Sequence, residues 1–196
     1  MNRTKCYQIL DGLPPYGTMA ISISEDETVF YAEGFPVRLY KSDGSEWVAN
    51  FFLGQSNLKE IHELNDSPHL LVIAYGICYI MNPDQTTPIS VFGTNCSQVF
   101  KTADGRFVLH NQTELILVEP TGAYWISENI SMEQLKDLKL ENNVVTGLSF
   151  DYSIKQREEW IHFSLHLDTK LLTYECDSRN RKSEKKWWKR YYPLSR

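Results

Sequence analysis

Four polar, turn-forming clusters recur along the chain at nearly equal intervals, and that recurrence restricts the fold more than any single motif. They are Ser24-Glu25-Asp26-Glu27, Asn65-Asp66-Ser67-Pro68, Ala103-Asp104-Gly105-Arg106 and Glu141-Asn142-Asn143. With Asp26, Asp66, Asp104 and Asn142 as markers, the intervals are 40, 38 and 38 residues. Each cluster leads into a short β-prone run: Val29-Phe30-Tyr31, Leu70-Leu71-Val72-Ile73, Phe107-Val108-Leu109, and Val144-Val145 running on to Leu148. A second turn follows the first three markers after 17 or 18 residues, at Asp43-Gly44, Asp84-Gln85 and Thr121-Gly122; Ser153 to Glu159 holds the same phase in the fourth unit. Asp-Gly between apolar runs signals a hairpin, because both residues tolerate the positive φ of a tight turn. Trp47, Pro88, Trp125 and Trp160 then share one position in the unit.

A strand-rich unit of about 39 residues has the size of a four-stranded propeller blade. Blade strands are covered on both faces, which suits Leu70 to Ala74, apolar without alternation. One more step from Asn142 reaches Asn180, so a fifth unit begins there and the chain ends halfway through it. Lys5 to Leu10 and Thr18 to Ile23 are strand-like and belong to no unit. The expectation is a single all-β domain over residues 1–196, a small propeller-like ring of about five four-stranded modules. Four are internal repeats, and the last is a blade shared by the two termini, with Trp187 to Leu194 as the closing strand. A β-sandwich or an incomplete barrel is the alternative. Ser131, with Gln134 three residues later, predicts a turn of helix through Lys136.

At 196 residues and 42% hydrophobic, the chain can hold a core without staples. The N-terminus lacks an apolar run of signal length, and the longest apolar stretch, Leu70 to Ile80, contains Gly76 and is too short to cross a bilayer. A cytoplasmic location without membrane contact is therefore expected. Cys6, Cys78, Cys96 and Cys176 stand far apart with no C-x-x-C pair, so neither a zinc cluster nor a disulfide framework is expected.

The net charge of −5 conceals a division. Residues 1–178 hold 12 bases and 24 acids, or −12; from Arg179 onward there are eight bases and one acid, or +7. The end of the chain offers Lys185, Lys186, Trp187, Trp188, Lys189, Arg190, Tyr191 and Tyr192 as a fold-closing or binding surface. Rings stack on bases and cations neutralise phosphates, so single-stranded nucleic acid is the alternative partner. The acidic body opposes a phosphate backbone extending beyond the tail, and closure of the fold is the preferred reading.

Catalytic signatures are sparse. His162 and His166 would share a helical face, but Ile161, Phe163, Leu165 and Leu167 alternate with His162, Ser164, His166 and Asp168, a strand pattern. On a strand the two imidazoles lie roughly 13 Å apart, too far to share a metal ion. His62-Glu63 lacks a second histidine, and no phosphate-binding loop or serine elbow is present. Glu25-Asp26 and Glu158-Glu159 are adjacent acids of the kind usually solvated in loops; as a catalytic pair they would make a carbohydrate-active enzyme. Cys96 has no basic neighbour in sequence to activate it. No catalytic residue, cofactor or metal is assigned.

The stretch from Asp104 to Leu172, with "DGRFVLHNQTELILVEPTGAYWISENIS", "LKLENNVVTGLSFD" and "EEWIHFSLHLDTKLL", resembles a pattern of uncharacterised bacterial all-β, propeller-like proteins of this length. The resemblance covers about a third of the chain and implies an all-β fold and a bacterial origin, with no activity. The leading functional expectation is a non-enzymatic protein-binding module. Its specific form is an immunity-type antagonist whose acidic body covers a basic toxin. Nucleic-acid binding through the tail and a carbohydrate-active enzyme are the alternatives.

Overall fold

The structure is a computed structural model that describes residues 5–26, 29–30, 32–151 and 159–175. Sixteen strands form four sheets of four, with no helix among the described residues. The first sheet contains β1 (Tyr7–Ile9), β2 (Ile21–Ile23), β3 (Phe35–Tyr40) and β4 (Glu46–Phe51) in the order β1-β3-β4-β2. The second is β5 (Lys59–Glu63), β6 (Leu70–Ala74), β7 (Ile77–Met81) and β8 (Ser90–Phe92). The third is β9 (Gln98–Lys101), β10 (Phe107–His110), β11 (Leu115–Val118) and β12 (Tyr124–Ile126). The fourth is β13 (Leu135–Glu141), β14 (Val144–Asp151), β15 (Glu159–His166) and β16 (Leu171–Tyr174). The last three are antiparallel meanders in chain order, whereas β2 lies parallel to β4.

Burial on both faces explains the continuous apolar strands. All five residues of β6 are fully buried. Leu70, Val72 and Ala74 join a core with Phe35, Val37, Leu39 and Phe51 of the first sheet. Leu71 and Ile73 point the other way, into a second core with Phe107 and Leu109. Val108, Leu115 and Leu117 of the third sheet face a third core with Val145, Phe163 and Leu165 of the fourth. The sheets thus stack face to face in sequence, and each fully buried aliphatic side chain contributes roughly 1.5–3 kcal/mol. In β15 the pattern changes to alternation: Phe163 and Leu165 are buried, as is Leu167 just beyond the strand, and His162, Ser164 and His166 take the opposite face. That strand is as expected.

Polar contacts repeat at one end of the stack. The Trp47 indole N–H donates to the Pro83 carbonyl (2.8 Å) and the Ser42 N–H to Asp84 Oδ1 (2.7 Å), tying the first sheet to the β7–β8 turn. Asp66 N–H and Ser67 Oγ both donate to the Pro120 carbonyl (3.3 Å each), tying the β5–β6 turn to the β11–β12 turn. Arg106, after β9, pairs with Asp168 (2.7 Å) in the β15–β16 turn of the fourth sheet's hairpin and with Asp104 (2.7 Å). At the opposite end the β6–β7 hairpin closes through Tyr75 and Gly76, both at positive φ (52° and 97°). A side chain at Gly76 would press on Ser56 Oγ (2.7 Å) and the Cys96 carbonyl (2.9 Å), so glycine is required there.

Several expectations need correction. Asp66, Asp104 and Asn142 do fall between the first and second strands of their sheets, but Asp26 follows β2, and the Val29-Phe30 run after it is not a strand. The second turns are not equivalent: Asp43-Gly44 joins the two middle strands of its sheet, whereas Asp84-Gln85 and Thr121-Gly122 lead to fourth strands; residues 153–158 lie outside the described residues. Trp47, Trp125 and Trp160 accordingly occupy β4, β12 and β15. The two N-terminal strands do not await the C-terminus; β1 pairs with β3 and β2 with β4 inside the first sheet. Trp187 to Leu194 lie outside the described residues. The predicted helical turn at Ser131 is a capped loop: its Oγ accepts the Gln134 and Phe150 N–H groups (3.1 and 3.0 Å), and Leu135 then begins β13. The serine satisfies strand and loop backbone in place of a helix terminus.

Candidate binding cleft between the first and second sheets

Parallel pairing of β2 with β4 makes both strands leave the first sheet at the same end. Beyond β2 the chain turns through Ser24-Glu25-Asp26; beyond β4 it continues into Phe52. The crossover from β2 back to β3 is held by Asn50 of β4, whose side chain is nearly sealed from solvent (3% exposed). Its Oδ1 accepts the Gly34 N–H (2.8 Å) and its amide donates to the Ala32 carbonyl (3.1 Å). Gly34 has no room for a side chain, since a Cβ would collide with the Phe51 carbonyl oxygen. Ser22 Oγ donates to the Phe30 carbonyl (2.9 Å), which fixes Phe30 over this end of the sheet.

Across from these residues stand the start of β7 and the end of β8. Together they enclose a cavity of about 500 Å³. Phe30 and Phe52 form one wall, edge to face with centroids 5.3 Å apart. Tyr79 forms the back; its hydroxyl donates to the Phe52 carbonyl (3.0 Å), and its ring packs 5.0 Å from Phe51. Burial, with Cys78 and Glu25 close by, pushes the Tyr79 phenol above its ordinary range, so it stays a neutral wall element. Ile77, Val91 and Phe92 complete the apolar surface, and Phe92 is braced from behind by Tyr124 at 4.1 Å, nearly parallel. The exposed Glu25 and Asp26 stand at the mouth, and the buried Ser24 beside them donates through Oγ to Asp26 Oδ1 (3.2 Å). The described residues lining the cleft include no Lys, Arg, His or Cys. The site is suited to hold an apolar body with a cationic end.

Other polar groups serve the sheets. The Arg106 guanidinium, 8% exposed, lies between the carboxylates of Asp104 and Asp168. Bonding to it, with help from Thr102, draws the Asp104 carboxyl below its usual range. His110 is bonded to the Asn111 carbonyl (2.8 Å) and Gln98 (3.2 Å), and burial lowers its pKa. Burial also lowers that of His62, opposed by Glu60 at 3.0 Å. Cys96 is fully buried, and its sulfur, together with burial, pushes the Cys78 thiol far up. Among the described residues no three His, Cys, Asp or Glu side chains gather as a metal site, and no helix is long and apolar enough to cross a membrane.

Of the residues singled out in sequence, Glu25 and Asp26 are brought to the cleft mouth. Glu158 lies outside the described residues, as do Lys185, Lys186, Trp187, Trp188, Lys189, Arg190, Tyr191 and Tyr192. Sequence reasoning missed Phe52 and Tyr79, which look like ordinary core positions. The available signal was Phe51-Phe52, two rings in succession at a strand end, of which only one can face the core.

Fold and site together define an all-β protein of four stacked four-stranded sheets with an aromatic cleft beneath an acidic rim. Comparison of the chain with protein-family models and with curated protein sequences finds no match.

Proposed function

We propose that this chain is a non-enzymatic protein-binding module with a basic partner, in its specific form an immunity-type antagonist of a basic toxin in the bacterial cytoplasm. The observation that carries the reading is the cleft, an apolar surface rimmed by Glu25 and Asp26 on a body of charge −12 over residues 1–178. Charge of that size raises the encounter rate with a basic protein, and fixed loops on stacked sheets make a firm docking surface. The buried thiols of Cys78 and Cys96, joined in no disulfide, favour a reducing compartment. Architecturally, we place the four sheets as successive blades of a propeller-like ring; their face-to-face order and the contacts repeated at one end support it.

The test is calorimetric titration of the full chain with proteins encoded beside it, at low and raised salt, with a toxicity assay alongside. A basic partner bound with a rate that falls as salt rises, and neutralised on binding, supports the proposal. Basic neighbours that do not bind would overturn it.

A further inference from the structure

Resting on that reading, we infer that the cleft seats one arginine or lysine side chain of the protein partner. Its charged head lies between Glu25 and Asp26, and its stem, with an apolar neighbour, lies against Phe52 and Phe30. The cavity of about 500 Å³ is far larger than one methylene chain and within the range of ligand-binding sites, so it has room for the basic side chain and an adjacent apolar one. Phe52 is 47% exposed, an unusual state for a ring beside a core, and it stands close to the acidic turn. Carboxylates next to an exposed aromatic face give a cation two attractions at once, an ion pair and the ring quadrupole. Tyr79 is committed to the Phe52 carbonyl and so holds the wall in place. An anionic ligand would meet the carboxylates at the mouth.

The probe is a capped pentapeptide with a central arginine flanked by leucines, titrated into isotopically labelled full-length chain and followed by amide chemical shifts. The control peptide carries citrulline, of the same shape but uncharged. Saturable shifts at Gly93 and Thr94 are expected, with the citrulline peptide at least about tenfold weaker. Combined Glu25→Gln and Asp26→Asn substitution should bring the arginine peptide down to the citrulline level and leave the citrulline peptide unchanged, which also shows that the cleft remains folded. Phe52→Ala should weaken both peptides.

Equal affinity of the two peptides, or shifts spread over the acidic body away from the cleft, would overturn the inference. So would arginine-peptide binding only after removal of residues 178–196, because the chain's own cationic segment would then be the occupant. Failure of the broader reading is distinguishable. A basic partner that binds the wild-type and the Glu25→Gln, Asp26→Asn chains alike removes the cleft's role and leaves the binding module. Peptide discrimination without any basic protein partner does the reverse.

Discussion

The second, third and fourth sheets share one strand order, an antiparallel meander, and the first does not. Their second strands begin at Leu70, Phe107 and Val144, 37 residues apart in both steps. In the second and third sheets the contacts to the next sheet start from the turn that precedes this strand; for the first sheet the β3–β4 hairpin takes that place. The first sheet also takes in two N-terminal strands, β1 beside β3 and β2 in parallel beside β4, and needs a crossover from β2 to β3. The regular sheets show how a repeated length stacks a core. The irregular one shows where a cleft can open, because a parallel neighbour brings two chain exits together at one end.

The largest effect should come from breaking the regular stack. Leu71→Ala removes a fully buried side chain from the core between the second and third sheets, and denaturant titration should show a loss of about 2–5 kcal/mol. Asn50→Ala attacks the exception instead. It strips the bonds from the crossover at Ala32 and Gly34, costing about 1–3 kcal/mol, and should weaken arginine-peptide binding by displacing Phe30, which Leu71→Ala should not do in the folded fraction. Arg106→Met tests the third-to-fourth contact. The two carboxylates are half exposed and can return to water, so a loss of about 1 kcal/mol is expected.

The smallest effect is on pH dependence. His62 and His110 have folded pKa values below 6.5, so the unfolded chain binds more protons in that region. Their contribution is complete above pH 6.5 and is lost as pH falls through that value toward the folded pKa. His110→Gln should flatten the decline in stability measured between neutral and mildly acid pH.

Local chemistry was legible in the sequence where neighbours in the chain are neighbours in space. Asp66, Asp104 and Asn142 mark hairpins because their turns are short and their strands antiparallel. The alternation from Ile161 to Asp168 reads as a strand for the same reason. The parallel pairing of Ile21 with Ala49 spans 28 residues of chain, and nothing local in either segment encodes it. Ile21 to Ile23 belong to the first sheet and not to a distant terminal blade, because that sheet is ordered unlike the other three. Glu25 and Asp26 were visible as a pair, but without that pairing they looked like loop acids and not like the rim of a cavity. Phe52 and Tyr79 join them only because the two sheet ends converge.

Nuclear Overhauser contacts across the first sheet test the central claim most directly. The account predicts cross-strand contacts that keep step in parallel, Ile21 with Ala49, Ser22 with Asn50 and Ile23 with Phe51. Contacts that run antiparallel from Ile21–Ile23 to Phe35–Val37, as a fourth regular meander would give, would contradict it and take the cleft with it.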